Sequence, residues 1–350
     1  MTEALRYGMS GGKAWDEILA PTRSLSGAEL ELALDEIDNA VRDWPDRLRQ
    51  PDRDWIMEYR RPEPRLRVVR SLDLDYAPNV PTILKVVADP NVGKLTGLSV
   101  ATKRSAKKLL DALRNAPFDV GDLRMLRLYD SGVDADTMAT LASNAAWSNL
   151  EVLDLAANRL KSEGFVTLAK ASQFENLRIL NLEFSGDQVK AAAVEAIAAA
   201  PQLQSLVVFK LSNNDRTSPK RRGKSIITSP NFHGLRCLQL RGMGLEDADL
   251  DALAEAPMLE HLEHLDLGNN NFRAAAVERL IRNPRLGRVT VLEFADNHDD
   301  LLTEAVVEAV NDAPWAPDLT SLRLGTGPAG RRLFKANRVP KEIRKIYRKG

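Results

Sequence analysis

The stretch that decides the fold is residues 150–176, LEVLDLAANRLKSEGFVTLAKASQFEN. Leu150, Leu153 and Leu155 alternate with other residues, as the inward side chains of a short strand do. Asn158 follows at a point where its amide can satisfy backbone groups of a turn. The remaining residues have the apolar spacing of an amphipathic helix. The stretch therefore predicts one structural unit made of a strand, a turn and a helix.

The opening phrase of this unit, with apolar residues at its first, fourth and sixth positions, occurs ten times along the chain. Successive phrases lie 26 to 32 residues apart. A period in this range is typical of a solenoid, because a unit of this size cannot bury its apolar face alone and must stack on its neighbours. The phrases begin at Val69, Leu95, Leu123, Leu150, Leu177, Leu203, Leu235, Leu262, Val289 and Leu319. The 32-residue step after Leu203 is predicted to be the one clear break in the rhythm.

Four prolines support this division into repeats, since each stands five residues before the next phrase. Proline cannot continue a helix, and it favours extended geometry in the residue before it, so it returns the chain to the strand. The four are Pro90, Pro257, Pro284 and Pro314.

The repeat resembles the ribonuclease-inhibitor-like subtype of leucine-rich repeat proteins over roughly residues 66–326. The residues that carry the resemblance are Leu150, Leu153, Leu155, Asn158, Leu160, Gly164, Leu168 and Ala169. The resemblance implies an α/β horseshoe of about ten repeats, with a concave parallel sheet, convex helices and a protein as partner. The turn asparagine recurs only at Asn270 and Asn297; the equivalent places elsewhere hold Ser131, Ser185, Met243 and Gly327.

Residues 1–65 precede the repeats and are predicted to form a helical cap over the open apolar end of the solenoid. Ser26 and Glu29 have the spacing of a capping box, and the helix they begin is expected to reach about Arg42. The predicted apolar plugs of this cap are Trp15, Trp44 and Trp55. An independent docking domain is the alternative. Residues 327–350 are strongly basic and predict either a C-terminal cap or a tail that lies on an anionic surface.

Composition excludes several other classes of protein. The chain has 49 basic and 49 acidic residues, so it has no global field that attracts nucleic acid or membrane. Cys237 is its single cysteine, which excludes a disulfide framework within the chain. The start of the chain has no cationic segment that leads into an apolar run, so we expect no secretory signal and a cytoplasmic protein. No apolar run is long enough to cross a membrane.

The partner-binding residues are predicted on the concave face, at strand positions that do not point inward. Exposed aromatic residues in a charged sheet are typical of interaction anchors, and charged neighbours orient the partner. The predicted anchors are Tyr129, Phe184 and Phe209, and the predicted orienting residues are Arg127, Asp154, Glu183 and Arg241. The alternative is that the rings pack on adjacent strand side chains.

A basic segment in the long step offers a different function. Arg216, Lys220, Arg221, Arg222 and Lys224 could contact phosphates, which together with the basic tail would make the chain a binder of nucleic acid or of an anionic surface. Solvated loops have the same composition. The triplet Gly223-Lys224-Ser225 resembles the end of a phosphate-binding loop, but the earlier glycine is missing, since position 218 is serine.

The sequence indicates neither catalysis nor a metal. His261 and His264 are three residues apart on a predicted strand, so they face opposite sides, and no third ligand has a recognised spacing. No serine-nucleophile motif, glycine-rich dinucleotide loop or pair of carboxylates in a pocket-forming context is present. We therefore expect a non-enzymatic scaffold without cofactor, acting as an adaptor, an inhibitor or a regulatory subunit. The family resemblance adds one further alternative, a regulator of a nucleotide-hydrolysing partner.

Overall fold

The computed structural model describes residues 12–102, 104–185, 189–214, 223–297, 301 and 303–325. The predicted leucine-rich repeat solenoid is confirmed: ten short parallel strands form one sheet, and a helix lies between each strand and the next. The chain divides into two compact units, which are described separately. The first comprises residues 2–159 with 171–177, and the second comprises residues 160–170 with 178–350.

The first unit contains three N-terminal helices and the first four strands. The helices are α1 (Gly12–Leu19), α2 (Gly27–Ala40) and α3 (Arg53–Glu58). The strands are β1 (Ser71–Asp73), β2 (Gly97–Ser99), β3 (Met125–Arg127) and β4 (Val152–Asp154), and they alternate with α4 (Val80–Val87), α5 (Ala106–Leu113) and α6 (Ala135–Ala142). The four strands pair in chain order and in parallel, so equivalent positions of the repeats lie side by side.

The second unit continues the same alternation. Its helices are α7 (Lys161–Lys170), α8 (Ala191–Ala198), α9 (Lys224–Ile227), α10 (Asp247–Glu255), α11 (Ala274–Ile281) and α12 (Glu304–Asp312). Its strands are β5 (Ile179–Asn181), β6 (Val208–Lys210), β7 (Cys237–Gln239), β8 (His264–Asp266), β9 (Val291–Glu293) and β10 (Ser321–Arg323). These six strands are also parallel and pair in chain order.

The core of each unit lies between its strands and its helices. The apolar residues of a strand, for example Leu153 and Leu155 in the repeat of β4, have no accessible surface. Each helix buries the apolar face that its spacing predicts, as α5 does with Leu109, Leu110 and Leu113. Full burial of one such side chain contributes about 1.5–3 kcal/mol, and stacking of the repeats provides that burial.

The sixth repeat begins three residues later than the sequence predicts. Phe209 pairs with Leu180 of β5 and Leu238 of β7, so the apolar phrase of this repeat is Leu206, Phe209 and Leu211. All three side chains are buried. The predicted 32-residue step from Leu203 is therefore wrong, because with Leu206 as the start both steps around this repeat are 29 residues.

Asparagine side chains connect neighbouring repeats where the strands end. The amide of Asn158 donates to the carbonyls of Leu128 (2.6 Å) and Leu155 (2.8 Å), and its oxygen accepts from the backbone of Ser131 and Val133. These bonds satisfy buried backbone groups that the turn leaves without a strand partner. Asn270 and Asn297 make equivalent contacts in their own repeats.

Asn214 is a fourth member of this set that the sequence analysis missed. It is fully buried and donates to the carbonyls of Leu182 (2.7 Å) and Leu211 (2.7 Å), and it accepts from the backbone of Ser185. Its position, three residues after Leu211, is the family position once the register of the sixth repeat is corrected.

The N-terminal helices enclose a separate apolar cluster. Trp15 is fully buried there and Trp44 packs against the cluster, whereas Trp55 is half-buried and contacts Tyr59 at 5.8 Å between ring centroids. Helix α2 begins after Ser26 as predicted, but the predicted capping box is wrong because the Ser26 side chain accepts no capping hydrogen bond. The helix also ends at Ala40, slightly before the predicted end.

The backbone of Arg49 extends the hydrogen-bond ladder beyond β1. Its carbonyl accepts from the amides of Arg70 (2.9 Å) and Ser71 (3.2 Å), as the carbonyl of Arg70 accepts from the first amides of the next repeat. Its buried side chain donates to the carbonyl of Val68 (2.8 Å) and pairs with Asp38. The backbone of Arg49 thus supplies one hydrogen-bond acceptor at the first edge of the sheet.

Candidate functional site

Two sets of polar strand residues are candidates for binding, one in each unit. We call them the open faces, because their side chains alternate with the buried apolar residues of the strands. The first open face consists of Asp73, Asp75, Ser99, Arg127, Tyr129 and Asp154. The second open face consists of Glu183, Phe184, Lys210, Asn213, Gln239, Arg241, His264, Asp266, Glu293 and Asp296.

The structure brings three predicted site residues together on the first open face. Arg127 and Asp154 lie at paired positions of β3 and β4, and their Nε and Oδ2 atoms are 3.4 Å apart. Tyr129, two residues beyond β3, keeps 47% of its surface exposed. The face therefore presents an exposed aromatic ring two residues along the chain from Arg127, whose ion pair with Asp154 is partly buried.

Two aspartates on the first open face are held away from their ordinary titration range. Burial raises the pKa of Asp75 to about 6, and the nearby carboxylate of Asp73 raises it further. Burial also raises the pKa of Asp73. The Ser99 hydroxyl donates to Asp75 (3.1 Å), and Arg127 stabilises both charges, so the face carries negative charge that is only partly compensated.

Phe184 is the most unusual residue of the second open face. It follows β5, keeps 45% of its surface exposed, and has a backbone φ of +53°. The left-handed region costs a residue other than glycine roughly 1–2 kcal/mol, with asparagine and aspartate the best tolerated. A phenylalanine is rare in this conformation.

The equivalent positions of most neighbouring repeats hold residues that suit the left-handed conformation. Asn213, Gly242, Asn269 and Asp296 occupy them in the repeats that follow, with φ between +50° and +67°, and Ala157 occupies the position in the repeat before, with φ +58°. Gly242 also lacks space for a side chain, since a Cβ atom would lie 2.9 Å from Asn213 Oδ1. Phe184 therefore departs from the residue types that the backbone favours here.

Arg241 is engaged within the second open face. Its guanidinium pairs with Asp296, two repeats further along the chain, and passes over Gly268 in the intervening repeat. A Cβ atom at Gly268 would lie only 2.1 Å from Arg241 Nη1, so the glycine makes room for this ion pair. The predicted orienting residue thus has a partner inside the protein.

Strand β8 places an imidazole in the second open face. The Nε2 atoms of Gln239 and His264 are 3.2 Å apart, which suits a neutral imidazole that accepts at Nε2. Burial lowers the pKa of His264 to about 4, and the ammonium of Lys210 lowers it further.

Cys237 is fully buried, which raises the pKa of its thiol to about 12 and keeps it a weak nucleophile.

The predicted exposure of Phe209 is wrong. Its ring is fully buried and packs on Phe232, with 5.3 Å between centroids, because Phe209 is the central apolar residue of its repeat. With the corrected register, Lys210 and Ser212 occupy the polar positions of this repeat. Glu183, in contrast, is partly exposed beside Phe184.

Most of the predicted basic patch lies outside the described residues: Arg216, Lys220, Arg221 and Arg222. Lys224 is exposed and begins the four-residue helix α9. Residues 327–350 also lie outside the described part.

Within the described part, no group of histidine, cysteine, aspartate and glutamate could hold a metal ion. No described helix combines the length and apolarity that a membrane crossing needs.

Sequence reasoning missed Tyr76, whose exposed fraction is 52%. Tyr76 occupies in the first repeat the place that Phe184 occupies in the fifth, so the row that identified Phe184 could have identified it. The guanidinium of Arg53 lies 4.8 Å from its ring centroid, which is the distance of a cation–π contact.

Comparison with known proteins gives only distant likeness. No family model matches the chain, and no curated protein matches its sequence. A leucine-rich repeat protein of Leptospira interrogans is similar in structure at 15% identity, with a TM-score of 0.40, over 83% of this chain and 77% of its own. TLR13 in complex with ssRNA13 is similar at 16% identity and a TM-score of 0.41, over 75% of this chain and 37% of its own.

A third similar structure is the ectodomain of the Arabidopsis thaliana receptor kinase GASSHO1/SCHENGEN3 in complex with CASPARIAN STRIP INTEGRITY FACTOR 2. Its identity is 19% and its TM-score 0.36, over 75% of this chain and 33% of its own. The chain thus spans about a third of the length of the two receptors. Likeness at this level carries no information about function.

Proposed function

We propose that this protein is a non-catalytic scaffold that binds a protein partner through its open strand faces. The observation that carries the proposal is Phe184, an aromatic side chain that is nearly half exposed and sits in a backbone conformation unfavourable to it. Strained backbone and exposed apolar surface both cost stability, and such features cluster at binding sites. The repeats that follow hold asparagine, glycine or aspartate at this place and the repeat before it holds alanine, so the fold does not require an aromatic side chain here.

Tyr129 supports the same function in the first unit. Its half-exposed ring lies near Arg127 and Asp154, and aromatic and arginine residues are the commonest energetic anchors of protein interfaces. Phe209 is removed from the proposed site because it belongs to the core. Glu183 and Arg241 remain proposed orienting residues, with Arg241 acting through its pair with Asp296.

Three finer assignments belong to the proposal. The asparagine contacts and the repeat length support the ribonuclease-inhibitor-like subtype. The carbonyl of Arg49, which continues the strand ladder, supports a capping role for residues 1–65. A single, buried cysteine is consistent with a cytoplasmic setting.

Capture of a partner from native lysate at low and high salt tests the proposal. Wild type is compared with Phe184→Asn and Tyr129→Ala, and with Leu32→Asn as control, since Leu32 is 63% exposed on α2, away from the strand residues. We expect one protein that is retained at high salt by wild type and by the control, and lost by the open-face variants.

Two results would contradict the proposal. Salt-labile nucleic acid or lipid, captured equally by all four proteins, would assign binding to the basic segments, because phosphate contacts weaken steeply with salt. A protein that is lost only with Leu32→Asn would move the interface to the N-terminal helices.

A further inference from the structure

A cleft in the first unit opens at the amino ends of the strands, and its volume is about 170 Å³. Its wall is the N-terminal segment at Pro45, Asp46 and Arg47, and its floor is formed by strand residues. The remaining lining residues are Ser71, Thr96, Gly97, Arg124, Met125 and Val152. The cleft adjoins the first open face, because its floor and that face come from the same four strands.

The floor is set by strand register. Ser71, Gly97, Met125 and Val152 are the paired first residues of β1 to β4, so they form one continuous row. A Cβ atom at Gly97 would lie 2.7 Å from Ser71 Oγ and 3.1 Å from Met125 Cε, so a side chain there requires both of these side chains to shift. The glycine in this row thus leaves space in the cleft between the side chains of Ser71 and Met125.

The hydroxyl of Ser71 has no hydrogen-bond partner in the described structure, although the residue is 99% buried. A buried polar group without a partner costs roughly 1–3 kcal/mol, so such groups in native proteins call for a partner. Ser71 lines the cleft, but its hydroxyl oxygen is itself inaccessible, so a polar group in the cleft reaches it only when a lining side chain moves.

The wall of the cleft is held in place by the strand-like contacts of Arg49, whose carbonyl accepts from the Ser71 amide at 3.2 Å. Its guanidinium is fixed on the carbonyl of Val68 and lies 5.6 Å from the Trp15 ring centroid. Arg49 lies only two residues after Arg47, so its contacts restrict the wall before any ligand arrives, which lowers the entropy cost of binding.

The charge around the cleft favours an anion. Arg47 and Arg124 line it against one carboxylate, Asp46. Arg124 makes no ion pair in the described part of the chain and reaches only the carbonyls of Gly121 and Asn149, each at 3.5 Å.

We propose that this cleft is a subsite for a carboxylate side chain, glutamate or aspartate, presented by the protein partner. The cleft is smaller than the roughly 300–1,000 Å³ of sites that enclose a whole ligand, which fits one side chain. Arginine is the preferred partner of carboxylates, and Met125 and Val152 offer apolar contact to the aliphatic part of the chain. The inference rests on the proposed function, since it names one chemical feature of the partner.

The test uses the full-length protein with ¹³C-labelled methionine methyl groups and needs no partner. N-acetyl-glutamate N-methylamide is titrated while the Met125 methyl signal is followed, with the glutamine and lysine analogues as matched probes. We expect a saturable shift of the Met125 signal with the glutamate probe alone. In Arg124→Gln the Kd should rise about tenfold or more, which corresponds to about 1.4 kcal/mol.

Two further variants make the result specific. Gly97→Ala should disturb the floor and weaken binding, whereas Arg114→Gln, which removes an exposed arginine just after α5 that pairs with Asp111, should leave the titration unchanged. Equal shifts with glutamine, or a shift with the lysine probe alone, would overturn the carboxylate assignment. If the Met125 signal of wild type does not shift, the subsite is overturned. The proposed function would still be supported if Phe184→Asn loses the partner in the capture experiment. A shift of Met125 without any captured partner would support the subsite and contradict the proposed function.

Discussion

Replacement of Phe184 separates the requirements of folding from those of binding. The ring is a little more than half buried, so its loss costs about 1 kcal/mol, half of the value for a fully buried phenylalanine. Relief of the left-handed backbone returns about 1 kcal/mol in Phe184→Asn and nothing in Phe184→Ala. We expect Phe184→Asn to unfold at nearly the wild-type urea concentration and Phe184→Ala to be about 1 kcal/mol less stable.

The assay is equilibrium urea unfolding of wild type and both variants, combined with partner capture by the same samples. Ala157→Asn is a matched control, since Ala157 has a φ of +58° at the equivalent place in the fourth repeat and loses no ring. It should gain up to about 1 kcal/mol. Equal stability of Phe184→Ala and Phe184→Asn, or full partner capture by both, would refute the view that Phe184 is kept for binding.

The other predictions concern buried groups. Asn214→Ala should lower the free energy of unfolding in urea by about 3 kcal/mol or more, because it leaves backbone groups of Leu182, Leu211 and Ser185 without partners. The control Gln204→Ala, at an exposed position, should lower it by less than about 0.5 kcal/mol. Similar losses in the two variants would contradict the bridging role of Asn214. Since the folded state raises the pKa of Asp75 to about 6, it binds more protons than the unfolded state between roughly pH 4 and 6, and stability falls as pH rises through that window. Asp75→Asn should therefore raise the Tm at about pH 8 and have little effect below about pH 4; a pH-independent change would contradict this. The Cys237 thiol should resist maleimide in the native protein and react after unfolding in urea, and fast native labelling would show that it is accessible.

The sequence was sufficient for the repeat units because their period recurs with small variation. It failed in the sixth repeat because two overlapping phrases fit, one beginning at Leu203 and one at Leu206. Only pairing with β5 and β7 decides between them, since it places Phe209 beside Leu180 and Leu238. A local signal did exist: Pro201 and Pro230 stand five residues before Leu206 and Leu235, the same spacing as the other four prolines.

The candidate site was less accessible to sequence reasoning. Alternation along a strand identified Tyr129 and Phe184, but the wrong register in the sixth repeat placed Phe209 on the surface. The left-handed conformation of Phe184 depends on the turn that its whole row shares, and an aromatic residue does not signal it. Arg241 and Asp296 are 55 residues apart in sequence, and only the stacking of repeats brings them together.

The most direct test of the central proposal is hydrogen–deuterium exchange of the protein with and without its captured partner. The open faces should account for the protection on binding. The amides at and just after β3 and β5, including those of Tyr129 and Phe184, should exchange more slowly in the complex, while α2 around Leu32 should be unchanged. Protection confined to residues 216–224 and 327–350, with the strand ends unaffected, would contradict binding through the open faces.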